Sequence, residues 1–312
     1  MSDRPESKTE IRVCVVESGG SRVRTDQLAT EEPLEIRLRA AGIAEGAGSR
    51  PVSLRNDEGA GRRTVAITMR TPGADFELAA GFLYGEGIIR SADEIRGISY
   101  CDAPGLDDDK RYNIVNVDLH SQVLPDLQAL ERHFYTTSAC GVCGKASLES
   151  LRPRGCPIIA PGPEVDADVI RRLPEALRAG QSVFAATGGL HAAALFDQHG
   201  DCLVVREDVG RHNALDKLVG WALLEGKLPL SRHIVMVSGR SSFEILQKSL
   251  MAGVPIVCAV SAPSSLAVSL AREFGITLIG FLRGDRFNVY TGPERVRLDQ
   301  PLVRNHTEEA HG

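Results

Sequence analysis

The sequence predicts an α/β protein, a partly parallel sheet covered by helices, preceded by a smaller α+β unit. Three observations carry this. First, short apolar runs alternate with helix-length amphipathic stretches from His233 onward: His233–Val237, Phe243–Ala252, Pro255–Val260, Ser265–Phe274, Ile276–Phe281. Strands separated by helices of that length join in parallel through crossovers. Second, Ala192–Phe196 and Cys202–Arg206 flank Asp197-Gln198-His199-Gly200 and read as a hairpin, which makes the sheet mixed. Third, the rhythm differs upstream of a polar Pro/Gly stretch at Arg152–Pro163, the kind of stretch that separates domains.

Taken in order, residues 1–50 read as a variable, loosely ordered segment rich in Gly, Ser, Arg and Glu. Two apolar patches within it, Ile11–Val16 and Leu34–Leu38, are candidate strands that pair with each other. Residues 51–137 form the small α+β unit. Thr64–Arg70 is a strand, and Thr71-Pro72-Gly73 a turn. Asp75–Tyr84 is a helix by the spacing of Phe76, Leu78, Ala79, Phe82 and Leu83. Ile98–Cys101 and Tyr112–Leu119 are further strands. Residues 138–163 form a loop and linker, and 164–312 the larger α/β domain. That domain opens with a helix at Asp166–Leu177 disturbed by Pro174, and a second helix runs from about Asn213 to Glu225. A short strand, Phe287–Tyr290, follows the last long one.

Composition excludes several functions. Of 312 residues, 43% are hydrophobic and 25% charged, an ordinary soluble profile. A formal charge of −5 argues against bulk nucleic-acid binding. Met1–Glu10 lacks a signal-peptide pattern, and no apolar run approaches the ~20 residues of a membrane span. The seven cysteines are odd in number and scattered. A cytoplasmic protein without membrane or nucleic-acid partners is expected, and in a reducing compartment a close cysteine pair reads as chemical.

That pair lies in Ser138-Ala139-Cys140-Gly141-Val142-Cys143-Gly144-Lys145. A C-x-x-C pair binds metal, cycles through a disulfide, or carries sulfur on a thiolate. Structural zinc needs about four ligands, and Cys156 offers only a third. Zinc deaminases carry H-x-E and then P-C-x-x-C. Here Ala193 stands two places after His191, Ala139 precedes Cys140, and the order is reversed. A thioredoxin-like pair sits at a helix start, which Gly141 and Gly144 disfavour. Sulfur transfer fits better: the glycines leave the thiols reachable, and Lys145 either favours the thiolate by its charge or is a solvated surface lysine. Two unreactive loop cysteines remain the bland alternative.

Several turns suit anions. Ser238-Gly239-Arg240-Ser241-Ser242 links a strand to a helix, where free N–H groups, hydroxyls and a guanidinium suit a phosphate. The alternative is an N-cap by Ser241 or Ser242. Ser261-Ala262-Pro263-Ser264 is similar without the Arg. Phe281-Leu282-Arg283-Gly284-Asp285-Arg286 offers two arginines for phosphates and Asp285 for a guanine edge, or else a solvated β-turn. Glu207-Asp208-Val209-Gly210-Arg211-His212-Asn213 is acid/base machinery or helix capping by Asp208 or Asn213. His191, after Gly188-Gly189-Leu190, reads as a partly buried structural histidine.

Taken together, Ser138–Lys145, Glu207–Lys217, Ser238–Ser249, Cys258–Pro263 and Thr277–Arg286 resemble the FdhD family of sulfur carriers needed for formate dehydrogenase activity. The resemblance implies a cytidine-deaminase-like three-layer mixed sheet, a smaller N-terminal α+β subdomain and a homodimer. It implies sulfur taken from a cysteine desulfurase and passed, for the formate dehydrogenase catalytic subunit, to molybdenum bis(molybdopterin guanine dinucleotide), bound as acceptor substrate. Cys140 maps to the persulfide carrier, Cys143 to its partner, and Phe281, Leu282, Arg283, Gly284, Asp285 and Arg286 to the cofactor-contacting segment. No intrinsic metal is expected. The competing readings are a zinc-dependent deaminase-like enzyme and a non-catalytic cofactor chaperone.

Overall fold

The structure, a computed structural model, describes residues 5–41, 61–102, 108–125, 158–159 and 161–298. Strands β1 (Lys8–Glu17) and β2 (Gly20–Ala29) form an antiparallel ribbon. β3 (Glu32–Arg39), β4 (Arg62–Arg70), β5 (Ile95–Tyr100) and β6 (Ile114–Leu119) make a four-stranded sheet in the order β4-β3-β6-β5. Helix α1 (Asp75–Gly85) packs on one face, and a single turn, α2 (Asp108–Arg111), precedes β6. Period-two alternation sends Leu34, Ile36 and Leu38 of β3 into the core with Leu78, Ala79 and Leu83 of α1.

This corrects the reading of the first fifty residues. Ile11–Val16 pairs with Gly20–Ala29 and not with Leu34–Leu38, which sits between β4 and β6. The boundary at residue 50 would cut through that sheet. β2 escapes a hydrophobicity reading because Arg22, Arg24 and Asp26 punctuate it and most of its side chains are exposed.

The second unit begins with β7 (Val165–Asp166), α3 (Ala167–Ala179) and α4 (Ser182–Thr187). The hairpin β8 (His191–Phe196) and β9 (Cys202–Asp208) follows, then α5 (Arg211–Leu224), β10 (Ile234–Val237) and α6 (Phe243–Met251). After them come β11 (Ile256–Ala259), α7 (Ser265–Phe274), β12 (Thr277–Arg283), β13 (Arg286–Thr291) and β14 (Val296–Arg297), which pairs with β7. The large sheet runs β13-β12-β11-β10-β8-β9. β10, β11 and β12 are parallel, whereas β8, β9 and β13 join antiparallel. Helices α5, α6 and α7 cover one face through Leu215, Leu246 and Leu270. Helix α3 covers the other through Ile170 and Leu173. The expected three-layer mixed α/β fold is therefore present. Pro174 lies inside α3 without ending it.

The two units meet where α1 crosses α5. A Cβ on Gly81 would lie 1.8 Å from the Asp216 carbonyl oxygen, and one on Gly220 would lie 1.8 Å from that of Glu77. Only glycine allows this backbone-to-backbone approach. Beside the crossing, Lys248 Nζ lies 2.8 and 3.0 Å from the two carboxylate oxygens of buried Asp216, and 3.5 Å from Glu86 Oε1.

Candidate functional site

Three parallel strands end on the same edge of the large sheet, and a helix or hairpin turn follows each. Such a carboxyl edge is where open α/β sheets place ligands. The turn after β10 (Ser238–Ser242) and the turn after β11 (Val260–Ser264) lie side by side, because the Ser264 N–H donates to the Ser241 carbonyl at 3.0 Å. The turn after β12 joins them: the Phe281 N–H donates to the Ser261 carbonyl at 3.2 Å, and Arg283 Nε to the Val260 carbonyl at 3.0 Å.

The serines divide by role. Ser242 Oγ caps α6 by accepting from the Ile245 N–H, and Ser264 Oγ caps α7 by accepting from the Ala267 N–H. Capping therefore accounts for one hydroxyl in each turn. Ser241 differs. It is fully buried, and its Oγ has no hydrogen-bond partner among the described residues. Arg211 Nε, at the start of α5, is likewise buried without a partner among them. Unsatisfied buried donors cost ~1–3 kcal/mol each, so a pair on one edge points to a ligand's oxygens.

Antiparallel pairing brings the start of β8 and the end of β9 to this edge. The His191 ring occupies the space a side chain on residue 239 would need: a Cβ on Gly239 would lie 3.3 Å from His191 Nδ1. Burial lowers the His191 pKa, and the positive charges of Arg211 and His212 lower it further. His212 Nε2 lies 2.9 Å from Glu244 Oε2 and 3.1 Å from Ser242 Oγ. That hydrogen bond from His212 holds the Glu244 carboxyl below its usual range, against the upward push of burial.

The Glu207–Asn213 connection is held from beneath by a network drawn from the Glu207–Lys217 motif and Thr71, whose pairings the sequence does not announce. Asp208 and Lys217 form a buried ion pair, Nζ to Oδ2 2.7 Å. Asp208 Oδ1 also accepts from the Gly210 N–H at 2.8 Å and from Asn213 Nδ2 at 3.1 Å, while Oδ2 accepts from the Thr71 N–H at 3.2 Å. Lys217 donates to the Thr71 carbonyl at 2.8 Å and the Glu207 carbonyl at 3.2 Å. Every member is satisfied, as a buried polar network requires. It fixes the β4–α1 turn of the small unit against the turn that carries Arg211 and His212. Neither Asp208 nor Asn213 acts as the N-cap of α5, which is Gly210. A lysine nine residues from its acid, inside a helix, gives no local signal of such a pair.

The expected cofactor segment forms the exposed tip of the β12–β13 hairpin. Arg283 pairs with Arg286 across the two-residue tip Gly284-Asp285. Phe281 is exposed and adopts φ 53°, a strained conformation for a side chain of this size, and strain of this kind clusters at functional sites. Arg283, Gly284, Asp285 and Arg286 are exposed, and Arg171 Nε reaches from α3 to the Asp285 carbonyl at 3.3 Å. Leu282 departs from the expectation. Its side chain is fully buried in the core beneath α3 on the same face as Ile279, because the β-bulge between Gly280 and Arg283, where Phe281 takes φ 53°, breaks the two-residue alternation, so it offers a ligand only backbone atoms. Cys140, Cys143, Lys145 and Cys156 lie outside the described residues. Among the described residues no three His, Cys, Asp or Glu side chains gather as a metal site, and no helix is long and apolar enough to cross a membrane.

Comparison with known proteins agrees with this architecture. The model of the FdhD/NarQ family matches residues 50–297. The chain is 50% identical over 290 residues to the sulfur carrier protein FdhD of Streptomyces avermitilis, covering 92% of this chain and 95% of that one. It is 44% identical over 286 residues to the protein of the same name from Sulfurisphaera tokodaii, covering 92% and 98%. A crystal structure of a candidate formate dehydrogenase accessory protein from Desulfotalea psychrophila superposes with a TM-score of 0.65 at 26% identity, covering 93% of this chain and 99% of that one. With a matching family model over most of its length and relatives at half identity across nearly all of it, this chain belongs to the FdhD/NarQ family.

Proposed function

We propose that this chain is a cytoplasmic sulfur carrier with sulfurtransferase activity. It takes sulfane sulfur from a cysteine desulfurase as a persulfide on Cys140. It hands that sulfur to molybdenum bis(molybdopterin guanine dinucleotide), its acceptor substrate, in the service of formate dehydrogenase. Membership of the family supports the reading, as do relatives named sulfur carriers and a solved relative described as a formate dehydrogenase accessory protein.

The observation that carries the acceptor half is the pair of buried, unpartnered donors, Ser241 Oγ and Arg211 Nε, at the strand ends. Beside them lie two helix N-termini and the exposed Arg240, Arg283 and Arg286. Backbone N–H groups, a hydroxyl and guanidinium forks match a pyrophosphate. The Asp285 carboxylate at the hairpin tip suits the N–H edge of a guanine.

In the loading step the Cys140 thiolate attacks the outer sulfur of the donor persulfide. The donor's S–S bond breaks, its cysteine leaves as a thiolate, and Cys140 is left as the persulfide. Cys143 takes part as a second acceptor. Alternatively it attacks Cys140, expels hydrosulfide and leaves a disulfide that cellular thiols reduce.

Calorimetry with GDP, a fragment of the acceptor, tests the site. Binding weakened roughly 10- to 150-fold in Arg286→Ala is expected, from one lost charge-assisted contact of ~1.5–3 kcal/mol. No binding by the folded wild-type chain would remove the acceptor half. Cys140→Ala should abolish formate dehydrogenase activity in cells that depend on this chain. Retained activity would favour a carrier of the cofactor alone.

A further inference from the structure

Two histidines flank the site edge, and they are not equivalent. His212 is committed. Its Nε2 meets Glu244 Oε2 at 2.9 Å and Ser242 Oγ at 3.1 Å. Both contacts fall on one ring nitrogen, so the three residues form no serine–histidine–carboxylate relay, which needs a separate nitrogen for each partner. His191 is uncommitted. It is half-buried, and neither ring nitrogen hydrogen-bonds to another described residue.

Strand pairing sets its position. His191 opposes Asp208 across β8 and β9, on the face that Ala193 and Leu195 turn toward α5. The ring therefore lies by the start of that helix, where Arg211 and His212 stand. It also lies against the turn after β10. A Cβ on Gly239 would meet His191 Nδ1 at 3.3 Å and Arg211 Cδ at 3.9 Å, so the imidazole and the arginine stem converge on one uncovered stretch of backbone. Two residues on is Ser241, whose buried Oγ has no partner among the described residues, as is true of Arg211 Nε.

The surroundings of the ring set its charge. Burial, and then the cations of Arg211 and His212 on α5, keep it neutral near pH 7. From β9, Asp208 favours a proton, but that carboxylate is already paired with Lys217 at 2.7 Å. The turn Ser238–Ser242 brings no carboxylate and carries the exposed Arg240, while Glu244 of α6 is spent on His212. The empty site is thus rich in positive charge and holds one more donor in reserve. A pyrophosphate placed beside Arg211 brings negative charge, which reverses the balance at the ring.

We propose that His191 is a phosphate contact that becomes charged on binding. A pyrophosphate set among Arg211, Ser241 and the Gly239 turn draws one proton from solvent onto the ring, and the imidazolium donates to a phosphate oxygen. The inference rests on the acceptor half of the function proposed above and adds proton uptake to it. The sign follows from linkage. Affinity is greatest at low pH, falls as pH rises through the pKa of the bound form, and is level above it. A rise of one pKa unit on binding makes the site up to about tenfold tighter at about pH 5.5 than at about pH 8.

GDP-mannose is the probe. Both its phosphates are esterified, so the ligand does not itself titrate in this range, whereas the terminal phosphate of GDP does, near pH ~6. Calorimetry on the full chain at about pH 6.5, in two non-phosphate buffers of different ionisation heat, should show net proton uptake on binding. His191→Gln should bind without uptake, and with an affinity that no longer varies between about pH 5.5 and about pH 8. On the wild type, the NMR midpoint of His191 should rise when GDP-mannose is added, a readout that needs no variant. Binding without proton uptake, uptake that survives His191→Gln, or a midpoint that does not move would each overturn the inference and leave the acceptor reading standing. Binding of GDP but not of GDP-mannose would overturn it too, since the acceptor's pyrophosphate is esterified at both ends. If neither nucleotide binds, the acceptor reading falls, and this inference with it.

Discussion

Replacing Gly220 by alanine puts helix propensity and packing in direct opposition. Propensity alone favours the variant: alanine within a helix is worth ~1 kcal/mol over glycine. The structure says otherwise. The new Cβ would lie 1.8 Å from the Glu77 carbonyl oxygen, where ordinary contact begins near 3.4 Å. Helices α1 and α5 would have to part by about 1.6 Å at the crossing, and no rotamer change can relieve a clash between two backbones. Overpacking costs ~1–3 kcal/mol when side chains can yield, so about 3 kcal/mol is a reasonable floor here. Subtracting the propensity gain leaves a net loss of about 2 kcal/mol, roughly a 30-fold shift toward the unfolded state. Urea denaturation followed by circular dichroism reads it as a lower midpoint at unchanged slope. A midpoint equal to or above that of the wild type would refute the close crossing, and with it the account of how the small unit is fixed to the site. Gly81→Ala should behave alike, with the pair less than additive because both act on one interface.

Other outcomes follow from the buried charges and the site edge. Lys248→Met leaves Asp216 buried without its partner and should cost about 3–5 kcal/mol, most of it recovered when Asp216→Asn is added; equal losses in the single and double variants would contradict the pairing. By NMR, His191 should titrate below its ordinary 6.5, and Arg211→Gln should raise the midpoint by removing a nearby positive charge; an unchanged midpoint would show that Arg211 does not face the ring. Because the folded pKa is the lower one, the contribution of His191 to stability is complete above pH 6.5 and declines as pH falls through the folded value. His191→Gln should flatten stability across that window, and an unaltered pH profile would reject the assignment.

Much of the large unit was legible locally. β10, β11, β12 and helices α6 and α7 combine apolar runs with serine caps, and Ser242 and Ser264 both act as those caps. What stayed hidden depends on distant partners. Helix α4 is six residues long, and its first N–H groups, Val183 and Phe184, are satisfied by the Glu207 carboxylate at 3.0 and 2.8 Å. No pattern within Ser182–Thr187 announces that. β2 carries too many charges to register as a strand until its pairing with β1 is known. At the edge, the turns could be named as anion-suited, but which serine was a cap and which was left unsatisfied required coordinates. The same holds for Leu282, whose place in a motif suggested contact and which the bulge in β12 turns into the core.

The central claim is that sulfur travels on Cys140. The full chain incubated with a cysteine desulfurase and cysteine, then digested without reductant, should show a gain of about 32 Da, one sulfur atom, on the peptide bearing Cys140. The gain should vanish in Cys140→Ala. Sulfur found only on another cysteine, or no gain at all while the desulfurase remains active, would contradict the account.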